Sequence, residues 1–265
     1  MFVKELLMCE QEFPKHWGGS EHPAHKVWVS DWSKREETES ETIVLTCSDA
    51  GIDWAKERNL PCIAFRNLKY DQMCGTQDLF GASLLLEELD ALSLEDLETV
   101  YCRFHGIPLE IARTKRCVIR ELSEQDLAEL YDLSGGWINE NSPGMKQLSR
   151  EEYFAFWKSY IRNMYGFYGF GLWLVTRQEQ IIGMAGFSPI SYDPELEGEI
   201  QISYWIAPEE RKKGYAFEVC ETLLSQAKEL TGSEQICLLT ASDNLASIRL
   251  SHKLRKYCIF VKKYL

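Results

Sequence analysis

The 265-residue sequence contains no C-x-x-C pair, no G-x-S-x-G, no H-E-x-x-H and no Walker-type glycine loop. It therefore lacks the local signatures of dithiol redox sites, of α/β-hydrolase nucleophiles, of one large class of metalloproteases and of P-loop nucleotide hydrolysis. Long apolar runs are missing too. Stretches such as Ile43 to Leu45 fall far short of the roughly 20 residues that cross a bilayer. The opening "FVKELLMCEQEF" is acidic and has no long apolar centre, so no signal peptide is expected and the expected location is cytoplasmic. A basic field is also absent. Lys+Arg number 29 against 41 Asp+Glu, for a net charge of −12. Residues 1–115 carry 12 against 21 and residues 116–265 carry 17 against 20, so neither part offers the positive surface that phosphodiesters require. Neither a nucleic-acid partner nor a membrane partner is expected.

Nine cysteines are present, an odd number scattered through apolar segments, which reads as reduced core thiols rather than a disulfide framework. His16, His22 and His25 cluster near the start with Cys9 upstream, but their spacing matches no familiar zinc pattern. The expectation is a solvated loop and no metal.

The length suits two domains. The first 41 residues are rich in turn formers and charge, as in "EFPKHWGGSEHPAHKVW" and "REETESE", and carry little pattern. After them "TIVLTC" reads as a buried strand and "SDAGIDWAKERN" as a turn and helix capped by Ser48 or Asp49. "PCIAF" is the next strand and "ASLLLEEL" a third candidate, so a small parallel-sheet α/β domain is predicted. In "SLEDLETVYCRFHGIP", Ser93 and Asp96 form an N-terminal box and Gly106 with Pro108 supplies the stop. A boundary near Thr114 divides residues 1–114 from 115–265.

The second part reads as a mixed sheet flanked by helices. Strand 117–122 leads into a helix capped by Ser123, and a second helix starts at Ser149 with Glu152 in the box position. "GLWLVT" and "IIGMAGFSPI" flank the turn "RQEQ" as an antiparallel hairpin, and "GEIQISYWIAP" (198–208) is a long strand. A helix, the strand 235–240, another helix and the closing strand "CIFVKKYL" complete the order. The aromatic run "MYGFYGFGLWL" (164–174) either lines an acceptor pocket or packs a loop onto the core, and the acidic group Glu195, Glu197 and Glu199 beside Asp193 either attracts a cationic amine or forms a solvated turn.

The stretch "PEERKKGYAFE" (208–218) carries the chemistry. Arg211, Lys212 and Lys213 run into Gly214, and a helix follows whose Ala216, Val219, Cys220, Leu223, Leu224, Ala227 and Leu230 form one apolar face. A helix start leaves backbone N–H groups unpaired, and a glycine before it lets a ligand approach the backbone. Such amides make a nest for phosphate oxygens. Cations at that end otherwise oppose the helix dipole, so the alternative is an exposed basic turn that costs stability.

Arg211-x-x-Gly214-x-Ala216, after a strand ending "YWIAP", resembles the Gln/Arg-x-x-Gly-x-Gly/Ala signature of the GNAT superfamily of N-acetyltransferases. Asn244-x-x-Ser247-x-x-Leu250 resembles its second motif, and the order of elements from 117 to 265 follows that fold. The likeness looks closest to the branch that acetylates ribosomal-protein N-termini. It implies acetyl-CoA as co-substrate, its diphosphate held by the amides of Arg211, Lys212, Lys213, Gly214, Tyr215 and Ala216. It further implies that backbone groups of Ile206 and Ala207 pair with the pantetheine arm and receive the oxyanion, and that Asn244 and Ser247 fix the cofactor from the far side. Pro208, which cannot donate, would end that pairing.

Acyl transfer to an amine requires the neutral amine. At pH 7 roughly one lysine-type amine in 2,500 is neutral, against roughly one α-amine in ten, whereas a thiol near 8.5 leaves well unaided. A base therefore matters more than an acid. Glu199 shares one face of its strand with Gln201, Ser203 and Trp205, opposite Ile200, Ile202, Tyr204 and Ile206, and this polar stripe suits a cleft wall. Glu199 is the expected base, directly or through water, with Glu197 in reserve; the alternative is a carboxylate beginning the strand in solvent. Where many GNAT members carry a tyrosine for the departing thiolate this chain has Ser251, and the family's Gly-Phe is replaced by Arg255-Lys256. No general acid is assigned, and Tyr257 lies near without support. The expected function is acetyl transfer from acetyl-CoA to a primary amine of a small molecule or protein N-terminus. The alternative is a non-catalytic acetyl-CoA sensor or docking protein. Residues 42–65 resemble half-domains of the haloacid dehalogenase type but lack Asp-x-Asp, so no phosphatase activity is expected there.

Overall fold

The computed structural model describes residues 3, 5–7, 28–30, 41–136, 147–191, 193–257 and 260–264. The cysteine and histidine cluster near the start lies outside these. The chain divides into two compact units, Met1–Ile107 and Pro108–Leu265.

In the first unit a five-stranded, all-parallel sheet runs in the order β2-β1-β3-β4-β5. The strands are β1 (Glu5–Leu7), β2 (Trp28–Ser30), β3 (Thr42–Thr46), β4 (Cys62–Phe65) and β5 (Leu84–Leu86). Every residue of β3 and β4 is buried, the pattern of parallel strands covered on both faces. Helix α1 (Asp49–Glu57) starts where the Ser48 hydroxyl accepts the Gly51 N–H at 3.1 Å. A Cβ at Gly51 would collide with the Thr46 side chain, so this glycine is what lets α1 sit against β3. Helix α2 (Leu68–Cys74) was not legible in the sequence because none of its residues is buried, which leaves no apolar period to read. Helix α3 (Leu94–Phe104) carries the predicted Ser93/Asp96 capping box.

The second unit holds a seven-stranded mixed sheet in the order β12-β11-β10-β9-β8-β7-β6. Its strands are β6 (Glu110–Arg113), β7 (Val118–Arg120), β8 (Leu172–Arg177), β9 (Gln180–Pro189), β10 (Ile200–Ile206), β11 (Ile236–Ala241) and β12 (Phe260–Tyr264). Neighbours from β6 to β10 are antiparallel, and β10, β11 and β12 are parallel. Because β6 pairs with β7, the segment before Thr114 belongs to this sheet, and the division falls at Ile107/Pro108 rather than near Thr114.

Helix α4 (Leu127–Ser134) follows a 3-10 turn whose Ser123/Asp126 box holds the start. Helix α5 (Arg150–Tyr160) begins with the predicted Ser149/Glu152 box, continues as a π-helical turn over Ile161–Tyr165 and passes into the short α6 (Gly166–Tyr168). Helix α7 (Tyr215–Ser225) lies against β9, β10 and the last helix, α9 (Leu245–Leu254). The single helix predicted through Leu230 is broken at Gln226, and α8 (Ala227–Thr231) follows it to a left-handed cap at Gly232. One apolar core joins Leu127, Leu130, Tyr153 and Trp157 to the central strands and to Val219 and Leu223 of α7. At about 25 cal/mol per Å² of apolar surface, this burial is the main stabilising term of the unit.

Candidate active site

The two edges of β10 are used differently. At its ends the Ala207 N–H donates to the Ile182 carbonyl at 2.9 Å, and the Glu199 carbonyl accepts the Ile190 N–H at 2.8 Å. Backbone groups alternate in direction along an antiparallel strand. The odd-numbered residues of β10 therefore bond to β9, and Ile202, Tyr204 and Ile206 turn theirs toward β11. Yet β11 pairs with β10 only at Ile200↔Ile236 and Gln201↔Cys237, while it continues beside β12 as far as Ala241. Beyond Gln201 the two strands part. The backbone of Tyr204 and the N–H of Ile206 face the opening, and the Ile206 carbonyl accepts the Arg211 Nε–H at 2.8 Å.

This geometry corrects the expectation for Ala207. Its N–H is committed to Ile182 and so is not offered to an oxyanion, while its carbonyl accepts the Glu210 N–H at 2.8 Å.

After a 3-10 turn over Pro208–Glu210, residues 211–214 form an exposed loop. Lys212 (φ 64°) and Gly214 (φ 88°) both take left-handed conformations. Gly214 then caps α7 without a side-chain bond. Among the described residues the N–H groups of Lys212 to Phe217 meet no acceptor, and Glu218 is the first to donate back, to the Gly214 carbonyl. The three cations act less directly than the sequence suggests. Arg211 folds onto the Ile206 carbonyl and Lys213 pairs with Glu210 at 3.0 Å. Lys212 alone presents its ammonium without a partner among the described residues. Positive character here comes chiefly from amides.

Tyr215 is buried at the first position of α7, with the Arg116 guanidinium 4.3 Å and the Arg177 guanidinium 5.9 Å from its ring centroid. Arg116 lies about a hundred positions upstream of the loop it touches, and no local pattern marks it.

Asn244 caps α9, its side-chain oxygen accepting the Ser247 N–H at 3.0 Å. That oxygen serves the helix start, and the Asn244 amide NH₂ is the side chain's donor. Ser247 is buried and its hydroxyl lies against that of Tyr204, whose phenol is pushed up by burial. Ser251 is buried as well, and its hydroxyl donates to the Ile248 carbonyl at 2.9 Å. The Tyr257 hydroxyl donates to the Glu221 carboxylate of α7 at 3.0 Å.

Glu199 stands one residue before β10, partly buried, with its N–H donating to the Leu196 carbonyl at 3.0 Å. Burial pushes the Cys237 thiol up, and the Glu199 carboxylate adds to the shift. Glu199 directly precedes Ile200 and Gln201, the residues of β10 that pair with β11. Gln201, Ser203 and Trp205 continue its face, all partly exposed, and Gln201 Nε2 donates to the Ser188 hydroxyl at 3.3 Å. Glu195 and Glu197 are exposed, whereas Asp193 is buried and accepts the Glu195 N–H at 3.0 Å.

The aromatic run is divided between core and surface. Tyr165 and Phe170 enter the core, while Phe167 and Tyr168 are exposed and meet edge to face at 4.8 Å. Tyr165 donates to the Leu172 carbonyl at 2.6 Å, and the Leu172 N–H donates to Tyr160, whose phenol burial pushes up to about 12. Among the described residues no group of three His, Cys, Asp or Glu side chains could hold a metal, and no helix is long and apolar enough to cross a membrane.

Residues 116–255 match the sequence profile of the acetyltransferase (GNAT) domain. Over 174 residues the chain is 25% identical to YjdG, an uncharacterised N-acetyltransferase of Bacillus subtilis (strain 168), spanning 64% of this chain and 89% of that one. A GNAT-family acetyltransferase of Bordetella pertussis aligns over 55% of this chain and 87% of its own, with 19% identity and a TM-score of 0.48. RimL, a ribosomal L7/L12 α-N-protein acetyltransferase in complex with coenzyme A, aligns over 55% and 82%, with 16% identity and a TM-score of 0.45.

Proposed function

Starting from a chain that belongs to the GNAT acetyltransferase family through residues 116–255, we propose that it carries an acetyl group from acetyl-CoA to a primary amine, on a small molecule or a protein N-terminus. The observation that carries this reading is the parting of β10 from β11 after Gln201 and Cys237. An extended amide-bearing arm can enter there and pair with the gap side of β10 as an added strand would. The unpaired amides of Lys212 to Phe217 suit the diphosphate, since they combine free donors with the positive end of α7. Fit at both ends, one for the arm and one for the anion, is what a coenzyme A thioester requires.

Glu199 takes the proton of the acceptor ammonium, directly or through a water. The neutral amine attacks the thioester carbonyl, forming the C–N bond, and the Ile206 N–H on the gap side receives the developing oxyanion. As collapse breaks the C–S bond, the extra proton that the attacking nitrogen still carries passes to solvent, leaving the neutral amide. The thiolate departs unaided, which a thiol pKa near 8.5 permits. Ser251, at the position where many relatives have a tyrosine, has its proton engaged with Ile248 and supplies no acid.

The reading is tested by following free thiol release from acetyl-CoA with a panel of amines and peptides. Acceptor-dependent release is expected. Binding of acetyl-CoA without release for any acceptor tried would leave only the non-catalytic sensor.

A further inference from the structure

We propose that the turn Thr114–Cys117 is a strap that holds the loop 211–214 in its anion-binding shape, with Arg116 as the positioning residue and Glu218 as its anchor. This rests on the reading that the loop receives the coenzyme's diphosphate. The loop needs such support. It is exposed, it contains two left-handed residues of which Lys212 bears a Cβ, and the helix it opens has no side-chain cap. Left to itself, Lys212 would relax toward an ordinary conformation and swing the following amides away.

Arg116 opposes that relaxation at several points. Its backbone N–H donates to Glu218 Oε1 at 2.8 Å and its Nε–H to Glu218 Oε2 at 2.6 Å. Thr114 adds its hydroxyl proton to Glu218 Oε1 at 2.7 Å and accepts the Cys117 N–H at 2.9 Å, which closes the turn. With both ends fixed, Arg116 Nη1 donates to the Lys213 carbonyl at 3.1 Å, and the guanidinium lies over the Tyr215 ring. That single contact orients a ligand group. In a planar trans peptide the carbonyl of one residue and the N–H of the next point oppositely. Holding the Lys213 carbonyl toward Arg116 therefore turns the Gly214 N–H away from the strap. Burial works against the charge on Glu218, and the hydrogen bonds from Thr114 and Arg116 outweigh it, so the anchor stays ionised below the usual carboxylate range.

The test compares acetyl-CoA with acetyl-pantetheine, a thioester without diphosphate, on wild type, Arg116→Ala, Arg116→Lys and Glu218→Gln. Arg116→Ala is expected to raise the acetyl-CoA Kd about tenfold, the scale of one charge-assisted hydrogen bond. Turnover at saturating acetyl-CoA and KM for acetyl-pantetheine are expected to stay within about twofold of wild type, because neither depends on the diphosphate contact. Arg116→Lys is expected to recover little, since an ammonium lacks the fork that reaches two acceptors at once. Glu218→Gln, a milder change that leaves the fold intact, is expected to weaken acetyl-CoA in the same diphosphate-selective way. Four results overturn the strap: acetyl-CoA affinity unchanged in Arg116→Ala, full recovery by lysine, Glu218→Gln without effect, or equal losses for both thioesters. Failure of the wild type to bind acetyl-CoA would remove the proposed function along with the strap, whereas tight wild-type binding with an indifferent Arg116→Ala removes the strap alone.

Discussion

The two edges of β10 are made from one heptapeptide, yet one is a ladder and the other is an opening. Toward β9 the register holds from Ile200 to Ile206 and is extended past both ends by Glu199 and Ala207. Toward β11 it stops at Gln201. Glycine at 183 helps the closed side, because a Cβ there would strike the Trp205 carbonyl across the ladder. The open side turns backbone groups toward a gap, which a folded protein keeps only if water or a ligand satisfies them. In the function proposed above, the sheet interrupted on one side of one strand is a binding site whose donors come from the backbone, and the side chains around it serve chemistry or positioning.

That contrast can be broken in graded ways. The largest effect is expected from Glu199→Gln, at the point where the closed and open stretches meet. Loss of the base should lower kcat about a hundredfold or more, with the acetyl-CoA Kd within about twofold of wild type. Unchanged kcat with every acceptor found removes Glu199 from the mechanism. Next come two amide-to-ester exchanges made by chemical ligation, which delete one backbone N–H each. At 206, on the gap side, kcat is expected to fall about a hundredfold, the scale for one oxyanion donor, with little change in stability. At 207, on the ladder side, the protein should lose about 1 kcal/mol in denaturant titration while kcat holds. Equal effects at the two positions would erase the distinction between the edges. The smallest effect is expected at Thr240, on β11 beyond the point of parting. Its buried hydroxyl has no partner among the described residues, so Thr240→Val should stabilise the protein by about 1 kcal/mol in urea. A destabilised variant would show that the hydroxyl is satisfied after all.

Much of the frame was legible because it is written locally. The boxes at Ser93 and Ser149 and the cap at Ser123 marked three helix starts, and the apolar runs of β3, β4 and β11 marked strands. What escaped has physical reasons. Strands β1 and β2 are three residues each, too short for a period, and α2 buries nothing. Motif spacing brought out the loop at 211–214 and Asn244, though as a cofactor contact and not as the cap of α9, and alternation brought out the polar face that Glu199 begins. Alternation in the sequence separates side-chain faces but does not say which backbone groups point to which neighbour, and so Ala207 was grouped with Ile206 although its amide belongs to β9. The charges at 211–213 read as an addition to the amide nest, whereas two of the three are engaged within the protein. Arg116 could not be found at all, since its contact with Lys213 spans 97 positions.

The measurement that bears most directly on the open edge is residue-resolved amide hydrogen exchange with and without acetyl-CoA. The N–H groups of Ile206 and of Lys212 to Phe217 are expected to slow on addition of the coenzyme, while Ala207, already bonded to Ile182, keeps its rate. Acetyl-CoA that leaves the exchange of Ile206 and of the loop unaltered would contradict the account.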